Sequence, residues 1–236
     1  MRDSLHLYHT PLHAKIEAAL SLYLLPHCHG SIYHKGEWQV MDQDLERLRR
    51  IAAENIRYER QLSRVRSAVK QTSCISEAVT KSISNLTSGN RSFVIYGEPQ
   101  SGKTEMMICL TAKLIEIGYD VVVHLLNDSV QLLQQNLDRF QRSGLSPSAR
   151  NFSEIMDPSI SLKVGKHVVF CKKNPHDLRK LNEKLSSVTS KVIIDDEADY
   201  ATPNSKIDKG EVTKINELIG QLLGDVDIHR RNGDAC

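Results

Sequence analysis

The sequence predicts an α/β fold, a parallel sheet flanked by helices, with a helical N-terminal extension ahead of it. Three observations carry that expectation. From residue 71 onward, short runs rich in Val and Ile alternate with amphipathic helical stretches. The apolar runs are continuous, as strands covered on both faces require, and do not alternate as a half-exposed sheet would. The chemistry-bearing motifs fall just past the C-terminal ends of those runs, where open α/β sheets bind their ligands.

Composition sets the outer bounds. The chain has 236 residues, 40% hydrophobic and 25% charged, which describes one large soluble domain or a domain with an appendage. A net charge of +2 creates no global field toward nucleic acid, although a local basic stripe is compatible with it. No apolar stretch is long enough to span a bilayer, and Met1-Arg2-Asp3-Ser4 opens no signal peptide. Cys28, Cys74, Cys109, Cys171 and Cys236 form an odd, scattered set without a C-x-x-C pair. Reduced thiols in a cytoplasmic protein are expected from that pattern, with neither a disulfide framework nor a zinc site.

The elements are expected in the following order. Residues 1–70 form the extension: a short apolar helix over Pro11 to Leu25, a loop from Pro26 to Gly36, and a long helix from Asp42 to Lys70. That last helix sets Leu45, Leu48, Ala52, Ile56, Leu62, Val65 and Val69 at three-to-four spacing, with seven arginines on its other faces. A solvated basic face and a nucleic-acid or partner contact are both open readings of the arginines. Residues 71–236 then form the main domain. Helices are expected over Cys74 to Leu86, Lys103 to Ile117, Val130 to Arg142, His176 to Leu185 and Lys214 to Leu223. Strands are expected over Ser92 to Tyr96, Val121 to Leu126, His167 to Cys171 and Lys191 to Ile194.

Two motifs carry the chemistry. After the Phe93-Val94-Ile95-Tyr96 strand comes Gly97-Glu98-Pro99-Gln100-Ser101-Gly102-Lys103-Thr104, which opens a helix. Backbone N–H groups of such a turn cradle phosphate oxygens; Lys103 would reach the β/γ-phosphates and Thr104 would sit on Mg²⁺. Val192-Ile193-Ile194 ends in Asp195-Asp196-Glu197-Ala198-Asp199, carboxylates at a buried strand end. Asp196 is expected to hold the metal and Glu197 to orient or deprotonate the attacking water, with Asp195 left open as a structural residue. ATP or GTP, with Mg²⁺, is the expected ligand; ATP follows from the resemblance below.

Asp196-Glu197-Ala198-Asp199 spells the DEAD motif, and with the phosphate loop it resembles the first RecA-like domain of superfamily-two helicases, a P-loop NTPase fold. The longer string from Ile193 to Asn204, with Lys214-Ile215-Asn216-Glu217-Leu218-Ile219, is similar to helicase-like ATPases related to the Z-one endonuclease-type domain. Those accompany restriction, repair and phage-defence systems, so the resemblance implies a nucleic-acid-dependent ATPase, with DNA favoured over RNA as partner. It also implies that Gln71 reads adenine, and that Leu125 to Gln131 and Cys171 to Asn174 touch the nucleic-acid backbone through Asn127, Lys172, Lys173 or Asn174. The other reading of that polar group is helix capping by Asn127, Asp128 and Asn174 beside surface lysines.

Relatives of this kind carry a Thr-Ala-Thr-Pro strand soon after the 214–223 helix, and a second RecA-like domain that supplies arginine fingers. The residues from Asp225 to Cys236 read differently, so a C-terminally truncated helicase is expected, completed by a second domain or a partner subunit. Kinase and GTPase readings lack an acceptor site and an Asn-Lys-x-Asp. A nucleotide-binding module that regulates or docks on a partner, without hydrolysis, stays open. Six of the ten histidines (His6, His9, His13, His27, His29, His34) crowd the N-terminus without a recognisable ligand spacing, and are expected to be scattered surface residues.

Overall fold

The computed structural model describes residues 3–9, 56–68, 72–90, 92–97, 102–198 and 213–224. The expected helix over Pro11 to Leu25, the first part of the helix from Asp42, Gln71, the loop from Glu98 to Ser101, the Tyr200 to Asn204 string and the tail after Gly224 lie outside the described residues. The elements are β1 (Asp3–His9), α1 (Arg57–Ala68), α2 (Ser73–Thr87), β2 (Ser92–Gly97), α3 (Lys103–Glu116), β3 (Val121–Leu126) and α4 (Val130–Arg142). They continue with β4 (Ala149–Asn151), α5 (Phe152–Ile155), β5 (His167–Lys172), α6 (Pro175–Leu185), β6 (Lys191–Asp196) and α7 (Lys214–Leu223).

The strands form one six-stranded sheet in the order β2-β1-β6-β3-β5-β4. β3, β4, β5 and β6 are parallel, and β2 points the same way across the intervening β1. Residue parity sorts each strand onto two faces. Val122 and Leu126 of β3, Val168 and Phe170 of β5, and Val192 and Ile194 of β6 join the buried side chains of α1 to α4. Val121, Val123, Leu125, Val169, Cys171 and Ile193 face the other way and pack with α5, α6 and α7. Both faces of the sheet are covered, which is why these strands read as unbroken Val/Ile runs. Burial pushes the Cys109 thiol up to about 12 and the Cys171 thiol higher still, so both stay protonated.

Three features depart from expectation. Residues 3–9, assigned to a helical extension, are a strand, antiparallel to both β2 and β6. Leu5 and Leu7 alternate with Ser4, His6 and Tyr8, a period of two that suits a strand and no helix. Leu7 is fully buried and belongs to the same core cluster as Tyr58, Leu62 and Val65 of α1. β4 and α5, of three and four residues, extend the sheet beyond β5; Asn151 opens α5 with a reciprocal capping box to Glu154.

His124 of β3 is completely buried, its ring stacked 4.6 Å from Phe170 and edge-on to Phe140. Thr111 Oγ1 donates to Met107 O at 2.7 Å, so its lone pair accepts from His124 Nε2 at 3.0 Å and the ring is the neutral Nε2–H tautomer. Burial holds the His124 pKa down at about 3. The unfolded chain therefore takes up this proton first, and stability falls as pH drops from about 6.5 toward 3, by up to about 1.4 kcal/mol per pH unit. His124→Phe should flatten that slope in urea unfolding curves collected from neutral to about pH 4; an unchanged slope would mean the histidine is charged or solvated. Leu7→Ala should cost about 2–5 kcal/mol by the same measurement. A Leu7→Ala chain as stable as wild type would place residues 3–9 outside the sheet.

Candidate functional site

The site forms where β2, β6, β3 and β5 end at the carboxyl edge of the sheet. β2 ends at Gly97, and Gly102 caps α3 in the left-handed region at φ 81°. Glycine is suited to that position because other residues strain at such φ. Lys103 and Thr104 are the first two residues of α3, whose opening N–H groups have no partner within the helix. Nine of its fourteen residues are buried, so α3 presents these two side chains from a fixed support.

β6 delivers the carboxylates. Asp196 Oδ1 lies 2.6 Å from Lys103 Nζ, each side chain less than one-fifth exposed. The two predicted motifs, 93 positions apart in sequence, thus meet in an ion pair. Charge explains why a metal–triphosphate suits this pair: a phosphate offers Lys103 a replacement anion while a divalent cation offers Asp196 a replacement cation. The Thr104 hydroxyl accepts from Arg139 Nη1 of α4 at 3.2 Å. Arg139 had no signal in the sequence beyond its place on an amphipathic helix. Beside Lys103, a cavity of about 170 Å³ is walled by Cys74, Ile75, Ala78, Ile95, Tyr96 and Met106, mostly apolar.

Glu197 follows immediately, at φ 53°, the only non-glycine at positive φ among the described residues. A left-handed non-glycine residue costs roughly 1–2 kcal/mol, so something must hold it. Its carbonyl accepts from Lys173 Nζ at 3.0 Å, and the Asp196 carbonyl accepts from the same ammonium at 2.8 Å. The third partner of that ammonium is Asp195 Oδ1 at 2.9 Å, with both side chains at 0% exposure. Lys173 is therefore a buried clamp on the turn after β6, with two hydrogen bonds to its carbonyls and an ion pair to Asp195. Its own N–H donates to Leu126 O at 2.7 Å, which ties the ends of β3 and β5 together. The Glu197 carboxylate is engaged as well, since Asn127 Nδ2 donates to Oε2.

The polar group at the ends of β3 and β5 divides between the two readings made of it. Lys173 points inward and is fully buried, out of reach of a phosphate. Asn174 is a helix cap, its Oδ1 accepting from Asp177 N–H at 2.9 Å. Ser129, rather than Asn127 or Asp128, caps α4. Lys172 stays near the surface, 3.0 Å from Asp128, whose carboxyl it holds below the usual range. Asp195 takes the structural role left open for it. A charged residue closing the run Val192-Ile193-Ile194 signals a buried counter-charge, and Lys173 shares the strand parity of Val169 and Cys171.

Removing Lys173 would strand a buried carboxylate. Lys173→Met should cost about 3–5 kcal/mol in urea unfolding, and Lys173→Met with Asp195→Leu should recover most of it. A single variant as stable as wild type would show that Asp195 is hydrated.

No helix among the described residues is long and apolar enough to cross a membrane. Comparisons with curated proteins and with solved structures gave no match. The family model described as Type III restriction enzyme, res subunit (ResIII) matches residues 68–220, about two thirds of the chain. That stretch runs from the end of α1 through α2, the phosphate loop, every parallel strand and most of α7. The chain belongs to the ResIII family, and its α/β sheet is the RecA-like, ATP-binding domain of a helicase-type ATPase such as restriction enzymes carry.

Proposed function

We propose that residues 71–236 are the first RecA-like half of a DEAD-type, nucleic-acid-dependent ATPase of restriction, repair or phage-defence systems, with the 1–70 extension contributing β1 to its sheet and α1 to its core. The observation that supports it is the Lys103–Asp196 ion pair, which joins the phosphate loop to the acidic strand end with Glu197 adjacent. Gly97 to Thr104 would cradle the triphosphate, Lys103 balancing its β/γ oxygens. Thr104 and Asp196 would hold Mg²⁺, which when bound neutralises charge on the transferring phosphoryl group. Glu197 would orient the attacking water and take its proton. The apolar cavity beside Lys103 suits a nucleobase, and Gln71, three residues before Cys74 in its wall, would read the adenine edge.

A second RecA-like domain, in this protein or a partner subunit, would supply the arginine that such reactions gain on the order of 10³-fold or more from. DNA is the preferred partner over RNA, in the cytoplasm. Lys172, the more exposed of the two lysines, would meet its phosphate backbone.

A second reading, a non-hydrolysing nucleotide-binding docking module, is favoured by one feature. Both the Glu197 carboxylate and the Thr104 hydroxyl are engaged by protein groups. ATP turnover by the purified chain, with and without single-stranded DNA or RNA, separates the two. Lys103→Ala should weaken nucleotide binding about tenfold or more. Glu197→Gln should keep binding while losing about 10²- to 10⁴-fold in turnover. Nucleotide bound without turnover under any condition would favour the docking module. A wild-type chain that binds no nucleotide would end both readings.

A further inference from the structure

The two groups that hold Glu197 are not equivalent. Lys173 grips its backbone carbonyl from a fully buried position, with Asp195 and the Asp196 carbonyl completing its coordination. Asn127 grips its carboxylate from the end of β3, the strand hydrogen-bonded alongside β6. Asn127 is only half-buried, and its Oδ1 has no hydrogen-bond partner among the described residues. One side-chain bond therefore orients this amide, and it ends on the carboxylate assigned to the attacking water. A carboxylate oxygen that accepts an amide N–H has one lone pair fewer for water and is held in one orientation.

The next residue connects this contact to the surface. Asp128 is more than half exposed, 3.0 Å from Lys172 Nζ, and accepts from Asn174 Nδ2 at 3.2 Å. Its hold on Lys172 is electrostatic and open to solvent, so a phosphate backbone can compete for that lysine. Losing Lys172 leaves Asp128 held only by the Asn174 amide, and its backbone continues directly from Asn127.

We propose that Asn127 is a positioning residue that restrains the Glu197 carboxylate in the resting chain, and that a nucleic-acid strand drawing Lys172 from Asp128 releases it. This rests on the ATPase reading above. The restraint acts on the base alone: on release, Glu197 takes the proton of the water whose oxygen bonds to the terminal phosphorus while the bond to the ADP oxygen breaks. A contact that only supported the fold would lower activity when removed, whereas a restraint raises it.

The test has two arms on the full chain. In the first, Asn127→Ala and Asn127→Asp are assayed for ATP turnover with and without a single-stranded oligonucleotide. Each should raise the basal rate about tenfold, the worth of one hydrogen bond to a charged group, and reduce the stimulation by oligonucleotide accordingly. A basal rate equal to or below wild type, with nucleotide still bound, overturns the restraint. In the second arm, ¹⁵N-asparagine labelling follows the Asn127 side-chain amide, assigned by its loss in Asn127→Ala. That signal should move in Glu197→Ala and move the same way when oligonucleotide is added to wild type. A signal that stays put while oligonucleotide binds overturns the release. Absence of turnover in every variant would sink the ATPase reading, and the amide signal would then decide the restraint by itself.

Discussion

A fully buried lysine and a fully buried aspartate, Lys173 and Asp195, set the terms for everything at the carboxyl edge of this sheet. Removing two charges from water costs several kcal/mol per ion, and their attraction offsets this only when the remaining donors are satisfied. Lys173 meets that condition through the two carbonyls of the turn after β6. The pair is thus inseparable from the conformation of Asp196 and Glu197. It fixes which way Asp196 faces, makes the left-handed Glu197 tolerable, and secures the β5 end against Leu126 of β3.

A second lysine–aspartate pair lies close by and has the opposite character. Lys103 and Asp196 retain 16% and 13% exposure, and each fits an ionic ligand as well as it fits the other. Partial exposure makes exchange possible there; at Lys173 and Asp195, with no exposure, no solute competes. The site therefore consists of an exchangeable ion pair mounted on a permanent one. The exchangeable pair can respond to an ionic ligand without disturbing the turn that the permanent pair holds.

Much of this was legible in the sequence, for reasons that also mark where legibility ended. The strands at Val121–Leu126, His167–Lys172 and Lys191–Asp196 are doubly covered, so their apolar runs stand out, and five helices announced themselves by three-to-four periodicity. β4 went unseen because three residues, Ala149 to Asn151, carry no periodicity. β1 went unseen because its alternation is short and rich in histidine, and an isolated N-terminal segment suggests no pairing partner. At the site, residue types and spacing pointed to Lys103, Asp196 and Glu197. They did not reveal that Lys173 turns inward, since adjacent lysines at a strand end look alike until strand parity assigns one to the buried face. Asn127 was placed with the nucleic-acid contacts. Its bond to Glu197 depends on β3 lying beside β6, a fact of sheet order that local pattern does not contain.

That order also decides how the two motifs meet. β2 and β6 are not neighbours; β1 lies between them, with Asp3 opposite Gly97 and Leu5 opposite both Ile95 and Asp196. The end of the phosphate-loop strand and the end of the acidic strand are consequently two strand spacings apart, about 10 Å. No short side chain bridges that gap from either strand. The loop after Gly97 carries the chain to the start of α3, and the four-carbon stem of Lys103 covers the remaining distance to Asp196. An intervening strand therefore sets the two strand ends apart, with a long flexible cation reaching from one side to a short fixed anion on the other. β1 acts as a spacer as much as a core element, and the separation it imposes is what the long Lys103 side chain bridges.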